Sequence, residues 1–390
     1  MLFKHSKVRR AARLIATLFI AGSFVATGSM AAAGASSAMA RGSKPLSLSP
    51  AATVASHDTI AMSDSYIGND WRKSMVAAFS YSAASAKAAG MIAGYKVDIS
   101  SENTASAQIS QIDSLILAHV SAIDIDSASP TALNPVIQRA CSAGIVVVVF
   151  DSLASAPCEY NVQDPFIAWV KEEADIVMKA IHYRGNVILA QGIVGSGPNA
   201  VELAAQRAVI AKYPHVHIVA LVDSENTASV MESAIAAVLP SLGPVAGVVT
   251  VTASIGALEA FKAAGRPLPA VAFDTSGETL DYWANALKTD PTFQATGLNA
   301  DPGESAIALY ESIMLLNHRT IGGKLISHNL LNFPLVTITN ANRAAWSKVT
   351  PVGTEASFVW TPAEVQTVIA EQMTGRPIVA PPVPTVAVVK

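Results

Sequence analysis

Two local signals recur in this chain at one spacing. Ser101-Glu102-Asn103-Thr104-Ala105-Ser106 returns 123 residues later as Ser224-Glu225-Asn226-Thr227-Ala228-Ser229, and Phe150-Asp151-Ser152 returns as Phe273-Asp274-Thr275 at the same offset. A shared hexapeptide alone has an ordinary source in turn chemistry. Two signals at a common offset predict two similar α/β units in tandem. In each, an aspartate follows a buried strand, and ligands of open α/β sheets bind outside the carboxyl ends of the strands. Two facing units that each offer such an aspartate describe a clamp for a polar ligand.

The 390 residues are 51% hydrophobic and 14% charged, which provides a large core. The N-terminus reads as an export signal over residues 1–40. Lys4, Lys7, Arg9, Arg10 and Arg13 precede an apolar stretch from Leu14 to about Val25, and Ala38-Met39-Ala40 has the A-x-A cleavage pattern. The stretch is diluted by Gly22 and Ser23 and is short for a membrane span. Cleavage near Ala40 leaves 21 basic and 29 acidic residues, and the acidic balance excludes a nucleic-acid surface. Export also exposes Cys141 and Cys158 to an oxidising compartment, where a disulfide forms if their Cα atoms are close enough. The alternative, a buried Cys141 and an unrelated loop Cys158, stays open from sequence.

Strands and helices alternate from residue 57 onward after a polar linker at 41–56. Thr59–Ser63, Tyr95–Ile99, Ala122–Asp126 and Ile145–Phe150 read as strands, the last a continuous β-branched run of the kind buried on both faces. Asn186–Gln191, Val216–Val222, Val245–Val251 and Ala270–Phe273 repeat the rhythm, and Thr296–Asn299 and Leu335–Thr339 are further strands. The fold class is α/β with parallel sheets covered by helices. Residues 376–390 hold four prolines and read as a disordered tail.

Three constellations bear on chemistry. The loop Ser63–Arg72 packs Tyr66, Asn69, Trp71 and Arg72 between the first strand and first helix. Aromatic faces suit the C–H faces of sugar rings, and the amide suits their hydroxyls. Trp71 has a second reading as a core residue. Asp151 and Asp274 each accept hydrogen bonds from ligand hydroxyls or cap a helix; Ser152 and Thr275 are alternative caps that free the aspartates. The turn Gly192–Asn199 lacks both the G-x-G-x-x-G spacing and the lysine of a phosphate loop, so it reads as a ligand loop with Asn199 at its tip. No G-x-S-x-G elbow, H-E-x-x-H or zinc-type cysteine pattern occurs, so neither enzyme, metal nor cofactor is expected.

In order, the chain carries the export signal, S-Y-I-G-N-x-W-R at 65–72, S-P-T-A-L-N at 129–134, A-C-x-A-G-I-x-V-V-x-F-D-S at 140–152, G-I-x-G at 192–195 and A-G-R-P-L-P at 264–269. Over roughly residues 57–345 it resembles the sugar-type (ribose-binding-like, type I) periplasmic substrate-binding proteins of ABC transporters. The resemblance implies two Rossmann-like lobes joined by a three-segment hinge. The N-terminal lobe would span 57–163 plus 301–335 and the C-terminal lobe 164–300 plus 336–375. It implies ligand contacts from Tyr66, Trp71, Asp151, Asn199, Asp274 and Asn299, to which the reading of the residues adds Asn69 and Ser152. It further implies a monomer in the periplasm that passes a monosaccharide or sugar alcohol to a permease and ATPase. A sensory or chemotaxis receptor of the same fold, binding a non-sugar metabolite, is the alternative. The chain departs from the family at Thr252-Ala253-Ser254, where a carboxylate is usual; the ligand then carries fewer hydroxyls than a typical hexose or pentose.

Overall fold

The computed structural model describes residues 56–100, 102–317 and 330–388, so the expected export signal lies outside the described residues. The first repeat folds into a parallel sheet. Its strands are β1 (Thr59–Asp64), β2 (Gly94–Ile99), β3 (Ala122–Asp126), β4 (Val146–Phe150), β5 (Tyr160–Gln163) and β10 (Leu330–Asn332), in the order β10-β5-β4-β3-β1-β2. Side chains alternate across a strand, and here both sets are apolar. Ile60, Met62, Val148 and Phe150 meet α1 (Asp70–Ala88) and α9 (Glu304–Leu316) on one face. Ala61, Ile123, Ile125, Val147 and Val149 meet α2 (Ala105–Leu117) and α3 (Asn134–Ser142) on the other. Cys141 and Cys158 are joined as a disulfide, with Cα atoms 6.4 Å apart, and pack at the edge of this second cluster.

The second repeat follows the same plan. Strands β6 (Gly185–Gln191), β7 (Val216–Asp223) and β8 (Gly247–Val249) lie parallel in the order β7-β6-β8, the counterpart of β2-β1-β3. Val187 and Leu189 pack against α4 (Phe166–Ala180) and α5 (Gly197–Ile210); Ile188 and Ala190 pack against α6 (Ala228–Val238) and α7 (Ser254–Ala263). The strand expected at Ala270–Phe273 is reduced to two single bridges, Ala270 to Gly247 and Phe273 to Gly297. Pro267 and Pro269, which donate no backbone hydrogen bond, immediately precede it. Beyond it lie helix α8 (Gly277–Thr289) and an antiparallel pair, β9 (Thr296–Asn299) with β11 (Val336–Thr339).

The chain passes between the two halves three times: after β5 at Asp164-Pro165, after β9 at Ala300–Gly303, and between β10 and β11 at Phe333-Pro334-Leu335. These are the three segments of the expected hinge.

The C-terminal part differs from the expectation. Helix α10 (Arg343–Trp346) packs against α8 and β11, but α11 (Pro362–Met373) lies against α9 and β10 of the first sheet. Its buried Val365, Val368 and Ile369 form an apolar face that matches α9. Trp346, Phe358 and Trp360 stack edge to face at 5.4 and 6.0 Å and anchor the connection. Residues 376–388, read as a disordered tail, hold no helix or strand, yet Ile378 and Val383 pack against the first core cluster.

Candidate functional site

A cleft of about 390 Å³ lies between the two halves, lined from the first by Asn69, Trp71, Arg72, Asp151 and Ser152, and from the second by Trp169, Asn199, Glu202, Asn226 and Asp274. Its position follows from the strands. β1, β3 and β4 are parallel neighbours, and Asp64 and Asp126 stand in register at their ends. Asp64, Asp126 and Asp151 therefore converge at one sheet edge. Arg72, in the first turn of α1, reaches back to them. Its Nη1 pairs with Asp64 Oδ1 at 3.0 Å and with Asp126; its Nη2 pairs with Asp151 Oδ2 at 3.2 Å and meets Ser152 Oγ at 3.4 Å. One buried guanidinium thus serves three carboxylates. Burial pushes the carboxyls of Asp64 and Asp151 up, against the opposing pull of Arg72.

Asp151 occupies the left-handed region, φ 51°. Aspartate tolerates that conformation better than most residues. Ser152 donates to Asp151 Oδ2 at 3.0 Å, so the aspartate is held by two neighbours, while its Oδ1 has no partner among the described residues. Asn69 caps α1, its Oδ1 accepting from Arg72 N at 2.8 Å, and its Nδ2 is left for the cleft. Trp71 is half-buried. Its ring packs against two core clusters, and Nε1 donates to Ala300 O at 3.0 Å across the second crossover. Trp71 is therefore packed into the core and also borders the cleft. Tyr66 does not line the cleft. Its ring folds over Gly68, whose missing side chain makes the space; a Cβ there would sit 1.9 Å from the Tyr66 hydroxyl.

On the far side, Asn199 sits in the first turn of α5, which Ser196 caps. Its Nδ2 donates to Gln191 Oε1 at 3.2 Å, and its buried Oδ1 has no partner among the described residues. Asp274 is fully engaged. Oδ2 accepts from Ser254 N and Oγ, both at 2.8 Å; Oδ1 accepts from Ser276 N and Oγ and from Thr279 Oγ1. It borders the cleft, but five donors exhaust a carboxylate, so it fixes the N-terminal turns of α7 and α8 instead of offering a free acceptor. Asn299 ends β9, fully buried; Nδ2 donates to Glu355 Oε2 at 3.0 Å, and Oδ1 is unpartnered among the described residues.

Several cleft residues escaped the sequence reading, among them Phe166, Trp169, Glu202 and Glu355. Phe166 and Trp169 stand three residues apart on α4, edge to face at 5.7 Å, and give the cleft its aromatic wall. Glu202 follows Asn199 by less than one turn; burial raises its carboxyl to about 8. Glu355 lies in the segment that bridges to Ser276, and burial holds its carboxyl well above the usual range. A glutamate beside the apolar, aromatic run Ala356–Trp360 was the available signal. The second SENTAS copy reaches the cleft through Asn226, Thr227, Ala228 and Ser229, whereas none of the first copy's described residues lines it. Thr252 and Ala253 also line it, with Ala253 left-handed at φ 59°, and Thr252 donates to Asn226 Oδ1 at 2.9 Å. Among the described residues no group of His, Cys, Asp and Glu is arranged to hold a metal ion.

The arrangement matches known proteins. The family model for a periplasmic binding protein domain matches residues 60–320. An ABC transporter solute binding protein from Thermobispora bispora is 38% identical with a TM-score of 0.77, over 84% of this chain and 99% of that one. A xylitol-binding protein of Mycolicibacterium smegmatis is 29% identical over 195 residues, 49% of this chain and 55% of that protein, so the match spans about half of the curated relative. A solute binding protein from Actinobacillus succinogenes with bound D-allose shares the fold at a TM-score of 0.63 and 19% identity, over 74% of this chain and 99% of that one. The tandem sheets carry the fold shared with these proteins, and the chain belongs to the periplasmic binding protein domain family.

Proposed function

We propose that this chain is the exported solute-binding component of an ABC importer and captures a neutral monosaccharide or sugar alcohol. The observation that carries this reading is the hydrogen-bond balance of the cleft. Asp151 Oδ1, Asn199 Oδ1, Glu202 Oε2, Glu278 Oε2, Asn299 Oδ1 and Glu355 Oε1 accept no bond from any described residue, while Asn69 Nδ2 and Asn226 Nδ2 are the matching side-chain donors. The cations are committed: Arg72 to its three aspartates and Lys73 to Asp70 at 2.8 Å. A polyol supplies donors at every carbon and no charge. Trp71, Phe166 and Trp169 offer apolar faces to its C–H groups. Sugar acids and sugar phosphates would bring negative charge to a cleft whose cations, among the described lining residues, are already committed. The xylitol-binding relative and the D-allose complex agree with this class.

Closure of two lobes over the ligand is the mechanism. The first lobe is residues 57–163 and 301–335, to which α11 adds its packing; 164–300 and the start of the C-terminal segment form the second. Asp151, Ser152, Asn69 and Trp71 contact ligand from one side, and Asn199, Glu202 and Trp169 from the other. Asn299 and Glu355 do so at the crossover, and Asp274 positions α7 and α8. The ligand leaves chemically unchanged, for a permease and its ATPase. Isothermal titration of the mature chain with xylitol, other pentitols and free monosaccharides tests this; binding of gluconate but of no neutral polyol or sugar would reverse it.

A further inference from the structure

We infer that the site extends past its sugar-sized cleft into an apolar annex, and that the natural ligand carries an apolar aglycone there. This rests on the carbohydrate reading above. A second cavity, of about 600 Å³, adjoins the cleft and shares Asp151, Ser152, Phe166 and Pro198 with it. The two meet at these four residues, where the halves face each other. Pro130, Leu153 and Ala154 come from the first half, and Pro165, Ile167 and Val201 from the second. Its lining is more apolar than that of the cleft. Beyond the shared Asp151 and Ser152, its polar lining residues are Ser127, whose hydroxyl donates to Ser129 O, Gln163, which donates to Asp151 O, and the buried Asp164; the other lining residues are apolar.

Ile167 and Val201 are 49% and 42% exposed, in the first turn of α4 and the second turn of α5. A free pentitol or monosaccharide held by Asp151 and Asn299 leaves both in water. A substituent on the anomeric oxygen, passing between Ser152 and Phe166, covers them. An occupant of that kind is fixed by the residues shared with the cleft: it must be tethered to a group that Asp151 holds, and it must be apolar. An aryl or alkyl glycoside meets both conditions, whereas a second sugar would bring hydroxyls to a wall with few partners. Covering roughly 60 Å² of apolar surface gains about tenfold in affinity.

The test uses the full mature chain and matched probes: D-xylose, D-glucose, D-ribose and L-arabinose, each free and as its methyl and 4-nitrophenyl glycosides, titrated by calorimetry. The nitrophenyl glycoside of the sugar that binds is expected about tenfold tighter than the methyl glycoside. In the double variant Ile167→Asp, Val201→Asp that gain disappears while the free sugar binds as before. Equal affinity for methyl and nitrophenyl forms, with the free sugar bound, overturns the annex and leaves the carbohydrate reading intact. A gain that survives in the double variant overturns it too. Binding of xylitol with every free sugar and glycoside silent overturns the annex, because an alditol has no anomeric oxygen to carry an aglycone; silence toward xylitol as well overturns the reading beneath it.

Discussion

Arg72 and Asp151 sit in one cluster and predict opposite results. Arg72→Ala leaves Asp64, Asp126 and Asp151 buried together without a cation, which costs roughly 3–5 kcal/mol of stability. Asp151→Ala removes one of three carboxylates, and Arg72 keeps the other two. That variant should melt within about 2 kcal/mol of the wild type, most of the loss coming from alanine at a left-handed φ, and lose roughly tenfold to hundredfold in ligand affinity, the worth of hydrogen bonds to a charged group. Urea melts and titration of the two variants check the contrast; equal destabilisation would contradict it. The residue types of this site were legible where local rules apply. Asp151, Ser152, Asn69 and Trp71 follow from strand ends and a helix start. Asp274 was found for the right reason and given the wrong partner, because sequence shows an aspartate after a strand but not the two helix N-termini that converge on it. Glu355 had only the neighbouring aromatic run as a signal; its place at the cleft depends on long-range contacts, Trp360 and the backbone N–H of Phe358 binding Asp301, and Thr275 and Asn299 binding Glu355 itself.

At the scale of elements, the repeat at offset 123 was the strongest guide, since β2-β1-β3 and β7-β6-β8 are the same arrangement. Expectation and structure part at Ala270–Phe273, where two prolines break the ladder, and at α11, whose docking on α9 depends on a match of apolar faces that no local pattern encodes. The disulfide between α3 and the loop before β5 has a sequence separation of 17. A loop of that size is worth roughly 3 kcal/mol. The double variant Cys141→Ser, Cys158→Ser should therefore melt several degrees lower and bind ligand unchanged, because neither cysteine borders the cleft. Loss of binding in a folded double variant would contradict this placement.

For the whole molecule, buried acids set the pH response. Burial raises Asp124 on β3 and Glu202 on α5 to about 8, Glu159 to about 7 and Asp301 to about 6. Each has a folded value above its unfolded one near 4, so the folded state holds more protons between those values. Stability is then greatest on the acid side and falls as pH rises from about 5 to 8, by about 1.4 kcal/mol per pH unit for each proton retained. Thermal melts across that range should show the fall, and Asp124→Asn should flatten it; a rise toward pH 8 would contradict the assignment.

The central claim is that two lobes close on a neutral, hydroxyl-rich ligand. A thermal-shift comparison of the mature chain with xylitol, free monosaccharides and gluconate tests it most directly. Binding to the folded state alone at a hundred times Kd adds about 2.7 kcal/mol, which moves Tm by roughly 4 °C in a chain of this size. The account predicts such a shift with at least one neutral polyol or sugar and none with gluconate. A shift with gluconate and none with any neutral carbohydrate would contradict it.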